Sequence, residues 1–295
     1  LLFRDNGYSY ASSIPNLQLS IPYKSSFQTH HHMELSPTHK IGLVLSGGGA
    51  RGFAHLGVIQ ALHENGIYPD IISGTSAGAI IGAMIASGHT PEECLHFFLG
   101  KKILHFARLT MSKKGIMILN GMEEKLREFL QVKTFEDLKI PLVITASDFM
   151  NATPVHFEHG ELLPCVIASS SIPVVFTPRM IDHVEYVDGG VFMNLPVRPI
   201  RKRCEKIIAV EINSIDTSEK ITNMIGMAIR SFHLGLDRNT DIDRNMCDIF
   251  IAPQNMTKYS IFDLEHVQEI YNEGYQTAQR ILHSSVLKNS IPVSA

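Results

Sequence analysis

Asp70–Ser87 reads DIISGTSAGAIIGAMIAS. A short apolar run, Asp70–Ile72, leads into Ser73–Gly78, and Ala77–Ser87 follows as a stretch apolar nearly all round. This is the pattern of a buried strand, a tight turn and a buried helix, the repeating unit of α/β folds. The turn itself, Gly74–Gly78, reads GTSAG, a Gly-x-Ser-x-Gly nucleophile elbow. So sharp a turn drives neighbouring side chains into collision, hence glycine at 74 and 78. Ser76 would then sit at the N-terminus of the following helix, where the positive dipole end favours a developing negative charge. A Gly/Ser turn with no chemistry is the competing reading of these residues alone.

Upstream, Ile41–Leu45 is continuously apolar, as expected of a strand covered on both faces. Ser46–Gly52, SGGGARG, follows it, and a helix opens near Phe53 with Phe53, Leu56, Ile59 and Leu62 at helical spacing. Asn65-Gly66 stops that helix. A glycine loop entering a helix leaves backbone N–H groups unpaired, which suits a phosphate or the oxyanion of a tetrahedral intermediate. Gly47, Gly49 and Gly52 also match Gly-x-Gly-x-x-Gly formally. A dinucleotide site, however, needs an acidic residue at the end of the next strand. Here that strand ends in Ser73–Ser76, Asp70 stands at its start, and no Gly-Lys-Ser/Thr is present. Nucleotide binding is therefore disfavoured.

Downstream, Tyr186–Val191 reads as a short strand that delivers Asp188 to a turn made by Gly189 and Gly190. An aspartate in such a turn can bond its own backbone, or it can present a carboxylate to a neighbour.

Together these residues resemble the patatin-like lipid acyl hydrolases. Four blocks occur in that family's order: Ser46–Gly57 (SGGGARGFAHLG), Gly74–Ile80 (GTSAGAI), Ala168–Pro178 (ASSSIPVVFTP) and Asp188–Pro196 (DGGVFMNLP). The resemblance extends over about Lys40 to Leu287. It implies a layered α/β/α sandwich with a mostly parallel central sheet, occupying residues 38–290. It further implies a catalytic dyad without histidine, Ser76 as nucleophile and Asp188 as base. Gly47, Gly48, Gly49, Arg51 and Gly52 would belong to the oxyanion loop. The substrates implied are esters of phospholipids, lysophospholipids or acylglycerols, cleaved without metal or cofactor.

The chemistry of such a dyad is demanding. A serine needs a base within hydrogen-bond reach, and an aspartate has a reference pKa of only about 3.9. It can serve if burial raises that pKa and the oxyanion hole carries much of the stabilisation. Ester substrates are expected over amides, because an alkoxide leaving group takes a proton readily. Two rivals are a Ser-His-Asp triad and a non-catalytic lipid-binding protein on the same fold. Chain order permits the triad through His233 or His266, but both fall in helical patterns, Met224–Leu236 and Leu264–Leu282. Asp148 follows a predicted strand and reads as a turn or capping aspartate. Ser170, Ser171 and Asn194–Pro196 are assigned structural roles beside the site.

With 44 % hydrophobic residues the chain can bury a sizeable core, and a net charge of -3 without a basic aromatic stripe disfavours nucleic acid. Cys94, Cys165, Cys204 and Cys247 lack metal spacing and suggest a reduced compartment. No signal-like segment is visible and the longest apolar stretch, Ala77–Ala86, falls short of the about 20 residues a span needs. A cytoplasmic protein with transient contact to a membrane surface is expected. Residues 1–32, ending in three histidines before Met33, read as a flexible tag-bearing extension.

Thr90-Pro91-Glu92-Glu93 predicts a capped helix start, Met122–Leu130 and Glu161–Ser169 predict helices, and Pro141–Ser147, Lys206–Asn213 and Asp248–Ala252 predict strands. Lys101–Gly121 (KKILHFARLTMSKKGIMILNG) mixes apolar and basic residues. It reads as a surface helix and loop buried on one side, or as a lid that meets anionic head groups.

Overall fold

Ile41–Leu45 is apolar at consecutive positions because β1 (His39–Leu45) has helices or loops on both its faces. Leu43 and Leu45 face one core cluster and Val44 the other. The computed structural model describes residues 37–110, 112–213 and 221–284. The tag-bearing extension expected over residues 1–32 lies outside them.

After β1 come α1 (Phe53–Glu64), β2 (Ile71–Thr75), α2 (Ala77–Ala86) and α3 (Pro91–Phe98). Next are β3 (Arg108–Leu109), β4 (Gly115–Ile118), α4 (Asn120–Leu130), β5 (Leu142–Asp148) and β6 (Thr153–Phe157). The chain continues through α5 (Leu162–Ser169), β7 (Val174–Phe176), β8 (Arg179–Ile181), β9 (Val184–Asp188) and α6 (Arg198–Arg201). It ends with β10 (Cys204–Val210), α7 (Met224–Arg244), β11 (Ile249–Ile251) and α8 (Val267–Leu282). The predicted capping box at α3 is present: Thr90 Oγ1 accepts from Glu93 N–H at 3.2 Å, and Thr90 N–H donates to the Glu93 carboxylate at 2.8 Å.

Among the described residues the main sheet has eight strands, ordered β11-β10-β1-β2-β5-β9-β8 with β6 also on β5. The five strands from β11 to β5 are parallel, whereas β6, β8 and β9 pair antiparallel. One face carries the large core with α1, α2, α5 and α8. The other is covered thinly, by Leu195, Val197 and Ile200 on and before α6, packed on Val44, Ile71, Val143 and Ile207. The architecture is thus the expected α/β/α sandwich with a mostly parallel sheet, one outer layer much thinner than the other.

A second sheet, β3-β4-β7, takes two of its three strands from the stretch read as a surface helix and loop or as a lid. Lys101–Gly121 instead makes a single 3-10 turn at Ile103–His105 and the β3–β4 hairpin, and β4 pairs parallel with β7. Its apolar residues are divided: Phe106 and Leu119 are buried, Leu104 and Leu109 exposed. α7 also runs to Arg244, past the expected Leu236; beyond Leu236 the sequence turns polar (DRNTDIDR), so apolar spacing could not mark the helix's true end. No helix among the described residues is long and apolar enough to cross a membrane.

Two features of packing matter below. α8 lies directly on α1, and a Cβ added at Gly274 would stand 2.0 Å from the Ala54 carbonyl oxygen, while one at Gly57 would stand 2.0 Å from that of Tyr271. The second feature is the register of β5. Thr75 of β2 pairs with Thr145, and Asp188 of β9 pairs with Ala146. Since β6 pairs with Ile144–Asp148 along one edge, β2 and β9 share the other edge of β5, end to end.

Candidate active site

Consecutive positions on β5 therefore bring the C-terminal ends of β2 and β9 together, and with them Ser76 and Asp188. Ser76 takes φ 53° and ψ -118°, a left-handed conformation that costs a non-glycine residue about 1–3 kcal/mol. The turn is as crowded as the sequence demands. A Cβ at Gly74 would meet the Gly78 carbonyl oxygen at 2.4 Å, and one at Gly78 would meet that of Leu45 at 2.1 Å. Ser76 N–H donates to Ser169 Oγ at 2.8 Å, and that hydroxyl donates to the Thr145 carbonyl at 2.6 Å. The Ser171 carbonyl accepts from Asp188 N–H at 2.9 Å. The serine run after α5 is thus a brace spanning both residues.

Asp188 is 1 % exposed. Its Oδ1 accepts from Gly190 N–H at 2.8 Å, so the turn aspartate does bond its own backbone. Oδ2 meets no strict hydrogen-bond partner. Burial pushes the pKa up to about 7, against the pull of the Ser76 hydroxyl and the Gly190 N–H, which both lower it. The Ser76 hydroxyl thus lies close enough to Asp188 to act on its carboxyl group. Gly189 and Gly190 are needed for space: a Cβ at Gly189 would meet the Thr145 carbonyl oxygen at 2.1 Å, and one at Gly190 would meet Leu236 Cδ2 at 2.5 Å.

The glycine loop divides by role. Gly47 N–H donates to the Asn194 backbone oxygen at 3.2 Å and to its Oδ1 at 3.1 Å. Its N–H is therefore engaged, while the residue itself stays in the loop beside Ser76. Arg51 donates through Nε to the Tyr259 carbonyl at 2.9 Å and anchors the loop from below. Gly52 is a packing glycine, where a Cβ would meet Ala77 Cβ at 2.9 Å. Gly48 and Gly49 line the same small cavity as Ser76 and Asp188, and their N–H groups meet no acceptor among the described residues. Gly49 has φ +61°, and a Cβ there would meet the Ile261 carbonyl oxygen at 2.3 Å. Beneath them, buried His55 bonds the Ser46 carbonyl through Nε2 at 2.9 Å, and burial pushes its pKa down to about 4.

Two cavities meet at Ser76. The smaller one holds Asp188, Asn194, Phe232 and His233 beside Gly47–Gly49. The larger, about 760 Å³ including its open mouth, runs past Ile80 to an aromatic end formed by Phe53, Phe98 and Phe106. Ring centroids there lie 5.0 Å apart for Phe53–Phe98 and 5.5 Å for Phe98–Phe106. The site thus has a polar compartment and an apolar one, with the hydroxyl at their junction.

Some participants are not visible in the sequence. Ala77 N–H, at the start of α2 and beside the apolar cavity, is left unpaired as the first residue of a helix. It is readable only from the elbow geometry. Asn194 Nδ2 is buried without a partner in the polar cavity. His233 lies there too, brought by α7, where burial and the neighbouring Arg51 and Arg230 push its pKa down to about 4. His266 is elsewhere, exposed before α8 and held by the Asp263 carboxylate at 2.8 Å. Asp148 caps a turn, accepting from the Met150 and Asn151 N–H groups at 3.1 and 3.0 Å.

The family model for patatin-like phospholipase matches residues 43–201, more than half of the chain. An uncharacterised NTE family protein of Mycobacterium tuberculosis is 34% identical over 182 residues, covering 60% of this chain and 50% of that protein. Lysophospholipase NTE1 of Saccharomyces cerevisiae is 26% identical over 286 residues, covering 85% of this chain and 17% of its own length. The chain spans half the length or less of these curated relatives. Among solved structures, VipD from Legionella pneumophila aligns with a TM-score of 0.49 at 17% identity, covering 83% of this chain and 67% of VipD. A matched segment that runs from β1 through the elbow and the aspartate turn to α6 identifies the chain: it belongs to the patatin-like phospholipase family.

Proposed function

We propose that this chain is a serine lipid acyl hydrolase that cleaves carboxylic esters through a Ser76–Asp188 dyad. One observation carries the reading: Ser76 stands where a small cavity holding the buried carboxylate of Asp188 meets a larger pocket lined by apolar side chains. The Ser76 hydroxyl attacks the ester carbonyl carbon as its proton passes to Asp188. The oxyanion so formed is met by the N–H groups of Gly48 and Gly49, with Ala77 N–H at the helix start. Collapse expels the alkoxide, which takes the proton back from Asp188 and leaves an acyl-serine. Water then repeats both steps and releases the fatty acid. The apolar pocket favours a substrate with one long acyl chain to bury, and the name of the yeast relative, a lysophospholipase, points the same way.

Asp188 acts as base only when ionised. With its pKa near 7, kcat/KM on a soluble ester is expected to fall as pH drops through about 7 and to level off above 8. A profile with no limb near 7 would count against a buried, high-pKa Asp188 as the base.

His233 is the observation that favours a second reading, since it shares the dyad's cavity. It makes no hydrogen bond to either residue, and at a pKa of about 4 it is a weaker proton acceptor than Asp188. His233→Gln is therefore expected to change kcat less than about fivefold. A loss matching that of the dyad variants, in a protein that stays folded, would move the mechanism to a triad. A fluorophosphonate probe tests the non-catalytic reading: the folded wild type should label on Ser76.

The aromatic end of the apolar pocket sets a length limit. Removing the Phe98 ring leaves space there, so Phe98→Ala should shift the optimum of a p-nitrophenyl ester series toward longer chains. An unchanged optimum would mean that the acyl chain lies elsewhere. Core truncation of this size costs about 3–5 kcal/mol, so a melting curve accompanies the assay.

A further inference from the structure

The first half of α7 faces two ways. Phe232, His233 and Leu236 turn inward to the polar cavity. Met224, Met227 and Leu234 turn outward, exposed by 88%, 57% and 48% of their surface. A helix segment that is apolar on both sides belongs in a core or against lipid. This one is not in a core. The exposed apolar surface also continues beyond α7. That helix packs on β7, whose Val174 is exposed, and β7 is paired with β4. β4 in turn pairs with β3, which exposes Leu109. The same segment gives Ile103, Phe106 and Phe176 to the wall of the acyl pocket. The elements that carry these exposed apolar residues therefore also line both cavities, and exposed apolar surface of this kind marks an interaction site.

Charge selects the occupant. The chain carries 29 acidic residues and a net charge of -3. Yet no Asp or Glu occurs from residue 94 to 122, which holds β3 and β4, nor from residue 221 to 236, which holds the first half of α7. Lys101, Lys102, Arg108, Lys113, Lys114 and Arg230 are the charged residues there. Glu124 and Glu185 reach in to pair with Arg108 and Lys114, and Lys102 and Lys113 stand exposed beside the apolar patch. Apolar side chains ringed by unopposed lysines are the composition of a face that enters an anionic lipid interface.

We propose that the outer face of α7 and the β3-β4-β7 sheet form a membrane-docking surface that seats the mouth of the site on anionic lipid. The choice of lipid as occupant rests on the acyl hydrolase reading above. Docking in this orientation would let an acyl chain pass from the bilayer to Ser76 without crossing water.

The test is flotation of the full chain with vesicles of phosphatidylcholine, with and without phosphatidylglycerol. Met224→Glu/Met227→Glu is compared with wild type and with Ser76→Ala. The double variant is expected to bind anionic vesicles about tenfold or more weakly and to hydrolyse a soluble short-chain ester within twofold of wild type. Ser76→Ala should bind as wild type does while hydrolysing nothing, so docking is read even if the proposed chemistry fails. Lys102→Glu/Lys113→Glu should weaken binding only where phosphatidylglycerol is present. Unchanged vesicle binding in the α7 variant would overturn the proposal. So would equal loss on vesicles and on the soluble ester, which would make the helix face structural. A wild-type dimer that dissociates in the variant, with vesicle binding intact, would assign the face to a second copy of the chain.

Discussion

Asp188→Asn is expected to lower kcat for ester hydrolysis by about 10⁴-fold and at the same time to raise the melting temperature at pH 8. The two effects have one origin. Asp188 is buried, and its pKa of about 7 in the fold lies well above its ordinary value of 3.8. The folded protein therefore binds a proton that the unfolded chain releases between pH 4 and 7. Stability is lost across that window as pH rises, to a total of about 4 kcal/mol for a shift of this size. Asparagine keeps an oxygen for Gly190 N–H but carries no charge, so it avoids that loss. The variant should gain several degrees over wild type at pH 8 and little at pH 4. Ser76→Ala should match the kinetic loss, and the double variant should be scarcely worse than either single one, because the two residues act as a unit. The expected assay is hydrolysis of p-nitrophenyl esters alongside thermal melts at both pH values. If Asp188→Asn retained activity, or destabilised the protein equally at both, the assignment of Asp188 as a buried ionisable base would be wrong.

Gly274→Val is expected to cost about 3 kcal/mol or more of stability and to abolish activity with it. No side chain fits where its Cβ would stand 2.0 Å from the backbone of α1, so α8 must lift from α1 or both must shift. Catalysis suffers indirectly. α1 carries His55, which holds the Ser46 carbonyl, and the segment before α8 holds Ala50 N–H through the Ile261 carbonyl at 2.8 Å. A shift between the helices therefore distorts the loop from two sides. Gly57→Val should behave alike. Gly235→Ala is the control: nothing lies within 4 Å of a Cβ there, and alanine in a helix interior should be neutral or stabilise by up to about 1 kcal/mol. Urea midpoints separate these outcomes. A Gly274→Val protein with a wild-type midpoint would mean that α8 does not pack on α1 as described.

The candidate pair, Ser76 and Asp188, was legible in the sequence because local sterics force each turn. A serine at φ 53° between Gly74 and Gly78 leaves a short, recognisable pattern, and so does an aspartate followed by two glycines that must pass under Thr145. The parallel core strands were legible for the same reason: burial on both faces makes apolar runs. Long-range pairing left no such trace. Which loop N–H stays available depends on Asn194, 147 positions from Gly47. β3, β4 and β7 are two to four residues long and acquire their order only from one another. His233 looked like any residue of an amphipathic helix, since its approach to Ser76 depends on where α7 lands.

The end-to-end meeting of β2 and β9 along β5 has a consequence for when the site is assembled. Neither Ser76 nor Asp188 is positioned by the other; each is measured off a neighbouring position of a third strand, Thr145 and Ala146. A nascent chain that has formed the Ser76 turn but not yet seated β9 holds the proposed nucleophile without its proposed base. A chain whose β9 has slipped by one position turns the aspartate to the opposite side of the sheet. On the proposed dyad, the site is thus complete only with the finished register, and a partly paired sheet leaves it without one of its two members.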